Sequence, residues 1–393
     1  MTGTRLTGRH VDDGRVLPEA SVVVVGDTVA YAGPSRDLPA HLATAPVPDY
    51  WRDGLTLLPG LVDIHCHGAA GGEFGESADE GARAAAHHQA AGTTTVVASI
   101  ASRVPDRLVR AVQACSTLVA DGVVGGIHLE GPFLSTVRRG AQNPAALRDV
   151  DPDLVAALVA AAGPGALVQM THAPERDPRR LLPALLADAE VVTAIGHTDA
   201  DAALTARTLA AAAEVAPRGL RPLVTHLFNG MPPLHHRSPG PVAAALTAAA
   251  RGDAVLELIG DGVHLAPETV RMVFETVGPD NIALVSDAMG ACGMSDGDYR
   301  LGDLEVRVVS GVARLTDGDS IAGGTASLLD VVRWCVTVAG VPLADAVTAA
   351  TAAPAAALSL PAGSLRVGDR ADLVVVGDDL ARVAVLRAGA RLS

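Results

Sequence analysis

The segment "DIHCHG" sets His65 and His67 on either side of Cys66 at the end of an apolar run. Side chains in a strand repeat with period 2, so both imidazoles face one way and Cys66 the other. Two neutral imidazoles side by side make one arm of a metal site, although histidine pairs also cap strands. The choice between those readings rests on whether ligand-type residues recur at equivalent places along the chain. His128 and Glu130 end "VVGGIHLE", His172 ends "ALVQMTH" and His197 ends "EVVTAIGH". His226 and Asn229 fall in "PLVTHLFN", Asp261 and His264 follow "AVLELIG", and Asp287 closes "IALVSD".

A carboxylate ending an apolar strand is costly to bury unless it is paired or coordinated, which singles out Glu130. Glu130 with His197 and His226 leaves an open coordination position, the catalytic rather than the structural pattern. Water at such an ion approaches a pKa of about 7 and becomes a nucleophile. Asp287 is placed to take that water's proton and return it to a leaving group. His264 and Arg237 read as substrate-binding groups, the arginine fork suiting a phosphate or carboxylate.

Residues at strand ends work together only if the strands share one sheet. Eight short apolar runs alternate with alanine-rich helical stretches at Ser77–Ala91, Asp106–Asp121, Asp151–Ala162, Ala200–Val215 and Pro267–Val277. That order is α/β and predicts a parallel (β/α)8 TIM-like barrel over 55–352, with catalytic groups at the C-terminal strand ends. Residues 1–54 and 353–393 carry short β runs broken by Gly and Asp and are expected to pair as a small β-sandwich domain. The stretch 293–322 reads as a β-hairpin insertion after the eighth strand, over the active end of the barrel.

Composition narrows the chemistry. The 393 residues are 49% hydrophobic, enough for a deep core, and the net charge of -14 offers no footprint for nucleic acid or an anionic membrane. A small-molecule partner is expected. No run reaches the roughly 20 apolar residues of a membrane span and the first residues lack a signal-peptide core, so the cytoplasm is the expected location. The four cysteines have no C-x-x-C spacing. The sequence contains no lysine, which excludes Schiff-base, pyridoxal-phosphate and P-loop lysine chemistry.

The segments "PGLVDIHCHG", "HLEGPFLSTVRRGAQNP", "IGHTDA", "THLFNGMPPLHHRSPG", "GDGVHL", "LVSDAMGA" and "IAGGTASL" resemble, in order, the N-acetylglucosamine-6-phosphate deacetylases of the amidohydrolase superfamily. The resemblance implies hydrolysis of the acetamide of N-acetylglucosamine 6-phosphate to glucosamine 6-phosphate and acetate. It implies a divalent metal, zinc or iron, on Glu130, His197 and His226, with Asp287 as acid/base. It further assigns substrate contacts to Ala141, Gln142, Asn229, Gly230, Arg237, Asp261, His264 and Ile321, Ala322 and Gly323. His65 and His67 become the arm for a second ion, so one or two ions per subunit are expected. A homodimer is implied, in which the neighbour helps to complete the phosphate site. The absence of lysine fits this branch, because relatives with a carboxylated lysine bridge cannot be built from this chain.

One position departs from the pattern: after "RRGA" the family usually has a histidine, and this chain has Gln142. An amide donates a hydrogen bond but cannot become a cation. Either Gln142 substitutes for it or the acyl preference differs, which keeps another N-acylated sugar or amino acid as the alternative substrate. His172 is a candidate to compensate.

Overall fold

The computed structural model describes residues 3–392. Eight strands, Val62–Cys66, Thr95–Ala101, Gly126–Glu130, Leu167–His172, Val192–Ile195, Leu223–Val224, Val255–Leu258 and Ile282–Leu284, lie side by side in chain order in one sheet. Every neighbouring pair is parallel. Past Leu284 the chain curls back on the first strand, where the Asp287 amide donates to the His65 carbonyl at 2.9 Å. The Ser286 hydroxyl donates to the buried Asp63 carboxylate at 2.5 Å. These contacts nearly close the sheet into the expected (β/α)8 barrel.

Three of the helices between these strands begin at a side-chain cap. Ser77 accepts from the Glu80 amide, Asp151 from the amides of Asp153 and Leu154, and Asp201 from that of Leu204. Each oxygen satisfies an amide that the first turn leaves unpaired. The observed spans Ala78–Ala90, Pro105–Ala120, Pro152–Ala162, Ala202–Val215 and Pro267–Val277 match the expected helices to within two residues. Leu182–Asp188 and Gly240–Ala250 complete the crossovers.

The apolar run "LLPGLVDI" divides. Thr56–Pro59 leaves the barrel and pairs with Leu373–Val376 and with Arg9–His10, within a seven-stranded sheet built from both ends of the chain. Pro59 has no amide to continue a ladder, and Gly60 makes the turn against the barrel wall. A Cβ at residue 60 would fall 2.0 Å from the Thr94 hydroxyl, so only glycine fits. Strand alternation gives this sheet two apolar faces. Leu57, Leu373 and Val375 enclose a core of its own, whereas Leu58, Val374 and Val376 pack into the barrel's helical layer.

The insertion after the eighth strand has one strand more than a hairpin. Gly297–Leu301, Leu304–Val309 and Val312–Leu315 form an antiparallel meander over a small core with Met289, Ala291 and Ala322.

Candidate active site

The C-terminal strand ends gather the expected ligand residues. Glu130 Oε1 lies 2.9 Å from both His197 Nε2 and His226 Nε2, which are 3.1 Å apart. His67 Nε2 lies 3.3 Å from the other oxygen of Glu130 and 3.2 Å from Asp287 Oδ1. His65 Nε2 stands 3.2 Å from His67 Nε2 and 3.4 Å from Asp287 Oδ1. Two candidate metal-holding groups result, Glu130–His197–His226 and His65–His67–Asp287, all buried. Cys66, between the two histidines in sequence, faces outward, with Sγ 3.0 Å from His88 Nε2.

Backbone strain helps to aim these side chains. His197, His226 and Asp287 have φ of 46°, 29° and 47°, a region that non-glycine residues seldom occupy. Each lies two or three residues past the last regular residue of its strand, where the chain turns sharply and points the side chain into the barrel mouth. Strain of this kind persists only where surrounding structure enforces it, and it concentrates at functional sites.

The donor set fits a cation. His197 donates its Nδ1 hydrogen to the Arg138 carbonyl at 2.8 Å, which leaves Nε2 with a lone pair in the neutral ring. That lone pair faces a carboxylate oxygen at 2.9 Å, a repulsive contact unless a proton or a metal ion lies between them. His65 is prepared the same way, its Nδ1 donating to Glu257 at 2.8 Å. Such outer partners fix the tautomer of a metal-ligating histidine.

In protein stripped of metal, protons would take that place. Burial opposes charge on His65, and the carboxylates of Glu257 and Asp287 overcome it and raise its pKa to about 9. Burial likewise opposes charge on His67, but hydrogen bonds to Asp287 and Glu130 raise it to about 10. Burial would raise Asp287, yet His65 and His67 hold it down at about 2. The two rings and the carboxylates therefore stabilise one another's charged forms.

Glu130, His197, His226 and Asp287 line a cleft of about 370 Å³ together with Ala141, Gln142, Asn229, Gly230, His264, Ile321 and Gly323. Gln142 is pinned at both ends: its oxygen accepts the Ser102 amide at 2.7 Å and its NH2 donates to Glu130 Oε2 at 2.5 Å. The Ser102 N–H can only donate, so the oxygen of Gln142 must face it and the NH2 end faces the ligand cluster. Asp261 lies behind the cleft and holds His264, Nδ1 to Oδ2 at 2.8 Å. Ala322 is fully buried in the insertion core.

Other expected residues stand apart. Arg237 does not line the cleft of its own chain; it sits exposed in the loop after the sixth strand, against His236. His128 is satisfied inside the barrel by Ser99 and Thr171. His172 points away from the cleft, its Nδ1 on the Ala194 carbonyl, and so cannot assist Gln142. His172 follows Thr171, whose hydroxyl lies inside the barrel, so its own side chain turns to the helical layer; His128 shares the face of Glu130 but sits two residues deeper on the same strand.

Sequence reasoning passed over Glu257, which is fully buried and accepts from His65, Gln169 and the His226 amide. A lone carboxylate inside "AVLELIG" was the available signal. It also passed over Arg314, Asp319 and Ser320, which reach the cleft from the insertion.

A barrel with this ligand cluster at its C-terminal mouth defines a class, the metal-dependent barrel hydrolases. The sequence profile of the "Amidohydrolase family" matches residues 56–390. N-acetylglucosamine-6-phosphate deacetylase of Bacillus subtilis (strain 168) is 34% identical over 335 residues, 82% of this chain and 81% of that protein. N-acetylgalactosamine-6-phosphate deacetylase of Escherichia coli O157:H7 is also 34% identical, over 87% of this chain and 89% of that one. A mutant N-acetyl-D-glucosamine-6-phosphate deacetylase from Mycobacterium smegmatis, solved in complex with N-acetyl-D-glucosamine-6-phosphate, is 41% identical with a TM-score of 0.91 over 100% of both chains. The chain belongs to the amidohydrolase family, in its N-acetylglucosamine-6-phosphate deacetylase branch. No helix among the described residues is long and apolar enough to cross a membrane.

Proposed function

We propose that the protein hydrolyses the acetamide of N-acetylglucosamine 6-phosphate, yielding glucosamine 6-phosphate and acetate. The observation that carries this reading is the Glu130–His197–His226 triangle with Asp287 facing it across His67. The relatives named above support a phosphorylated hexosamine over an N-acyl amino acid.

Glu130, His197 and His226 would hold a divalent ion, zinc first and iron second, since two histidines and one carboxylate with an open position suit both. His65 and His67, with Asp287 beside them, would hold a second. The ion supplies Lewis acidity and a water acidic enough to ionise near neutral pH. Asp287, a carboxylate at neutral pH, takes the proton that the attacking water releases. It then delivers that proton to the sugar nitrogen as the amide C–N bond breaks and the new C–O bond remains. The NH2 of Gln142 is placed to donate to the amide oxygen as charge builds there. Asn229, Gly230, His264 and the Ile321–Gly323 segment bind the sugar phosphate around the cleft, and Asp261 keeps the His264 ring in place.

The exposed loop bearing Leu234 and Arg237 supports a homodimer in which Arg237 reaches the neighbouring subunit's phosphate site. The test is acetate release from N-acetylglucosamine 6-phosphate by metal-replete protein, lost with a chelator and restored by added ion. No release from the replete protein would overturn the reading.

A further inference from the structure

We infer that Arg314, on the third strand of the insertion, is the cation by which each subunit recognises the phosphate of its own substrate; the inference rests on the deacetylase reading above. Among the described residues that line the cleft, Arg314 is the one arginine, and Arg237 is not among them.

The register of the insertion explains how it gets there. On the strand Val312–Leu315, Ala313 points into the insertion core with Val306 and Ala322, so the next side chain must face the opposite side. Arg314 pairs across a β-bridge with Ile321, which lines the cleft, and three residues further on the same segment clamps the barrel, the Gly324 amide donating to the Asp287 carbonyl at 2.6 Å. An arginine attached to this short ladder is carried to the rim of the cleft above the ligand cluster.

The chemistry of the substrate places phosphate at that rim. The acetamide is on C2 and the phosphate on C6, at opposite sides of the sugar ring. An amide seated against Glu130 and Asp287 therefore sends the phosphate outward, away from three carboxylates including Glu257. At present Arg314 Nη1 donates to the Asp319 carbonyl at 2.7 Å and to its carboxylate at 3.0 Å. The Asp319 side chain is 94% exposed, so that pair is screened by water and weak. A phosphate dianion offers the guanidinium more charge and a matched pair of oxygens.

The experiment measures steady-state kinetics of wild type, R314M and R314K on N-acetylglucosamine 6-phosphate and on N-acetylglucosamine, with thermal melting to confirm folding. Loss of one charge-assisted contact raises KM for the phosphorylated sugar about ten- to a hundredfold in R314M, with a much smaller fall in kcat. The preference for the phosphorylated sugar shrinks by the same factor, and R314K, which keeps the charge without the fork, recovers part of it. Inhibition by inorganic phosphate weakens in parallel. A folded R314M with wild-type KM and phosphate inhibition overturns the role of Arg314 and leaves the deacetylase reading standing. A wild-type protein that turns over neither sugar overturns both.

Discussion

Replacing Glu257 with glutamine should disarm His65 without touching any proposed ligand. The Glu257 carboxylate is wholly buried and accepts three hydrogen bonds, from His65 Nδ1 at 2.8 Å, Gln169 Nε2 at 2.6 Å and the His226 amide at 3.3 Å. Glutamine brings one acceptor oxygen in place of two. If that oxygen stays on Gln169, the new NH2 confronts the Nδ1 hydrogen of His65 and the His226 amide. The imidazole relieves the conflict by moving its proton to Nε2, which removes the lone pair that faces His67 and Asp287. Losing an orienting partner of this kind costs about 10- to 100-fold in metal affinity. The unpaired His226 amide costs about 1–3 kcal/mol of stability in addition. Metal content after exhaustive dialysis, with affinity from competition against a chromophoric chelator, reads the first effect, and urea unfolding reads the second. The drop should fall on the His65–His67–Asp287 group, so the metal count declines towards one ion before turnover is lost. E257Q protein with wild-type metal content and affinity would refute the argument.

Three further outcomes follow from the geometry. Asp287→Asn keeps the shape but removes the proton acceptor, so kcat should fall about 10²- to 10⁴-fold while metal content is retained in the Glu130 group; near-normal kcat would remove Asp287 from the proton transfer. Gln142→Ala should lower kcat about 10²-fold or more through loss of the donor to the amide oxygen, and a kcat equal to wild type would show that Gln142 only braces Glu130. His10 is buried in the terminal sheet with no hydrogen bond to Nε2, which stands 3.9 Å from the Asp12 carboxylate, and burial lowers its pKa to about 4 from 6.5. The unfolded chain therefore binds the proton more readily, so the stability from neutral His10 is complete above pH 6.5 and lost as pH falls from 6.5 towards 4, by up to about 3 kcal/mol. Urea midpoints of wild type and H10F should converge in slope above pH 6.5 and diverge below it; parallel curves would count against the assignment.

The eight apolar runs were legible because strands buried on both faces read as near-continuous hydrophobic stretches, and three of the helices between them announce themselves through Ser and Asp caps, with Pro in the first turn marking others. The division of "LLPGLVDI" was less visible, because Thr56–Pro59 is as apolar as a barrel strand and only Pro59 and Gly60 mark the change of sheet. The same limit hid Glu257, which reads as one more residue of a strand until its neighbours on other strands are known. Arg314 could not be found by spacing, since its distance from Asp287 along the chain says nothing about a strand folded back over the barrel mouth.

By itself the sequence determined the barrel, the ring of ligand-type residues at strand ends and the exclusion of lysine chemistry, because periodicity and side-chain type are local properties of the chain. Tertiary structure alone decided which members of that ring converge. It sorted Glu130, His197 and His226 from His128 and His172, placed Arg237 outside its own cleft and brought Arg314 to the rim. The physical reason is that a strand's pleat, its stagger against its neighbours and the strained turn after its last residue set where a side chain points, and each is settled only when eight strands pack around one axis.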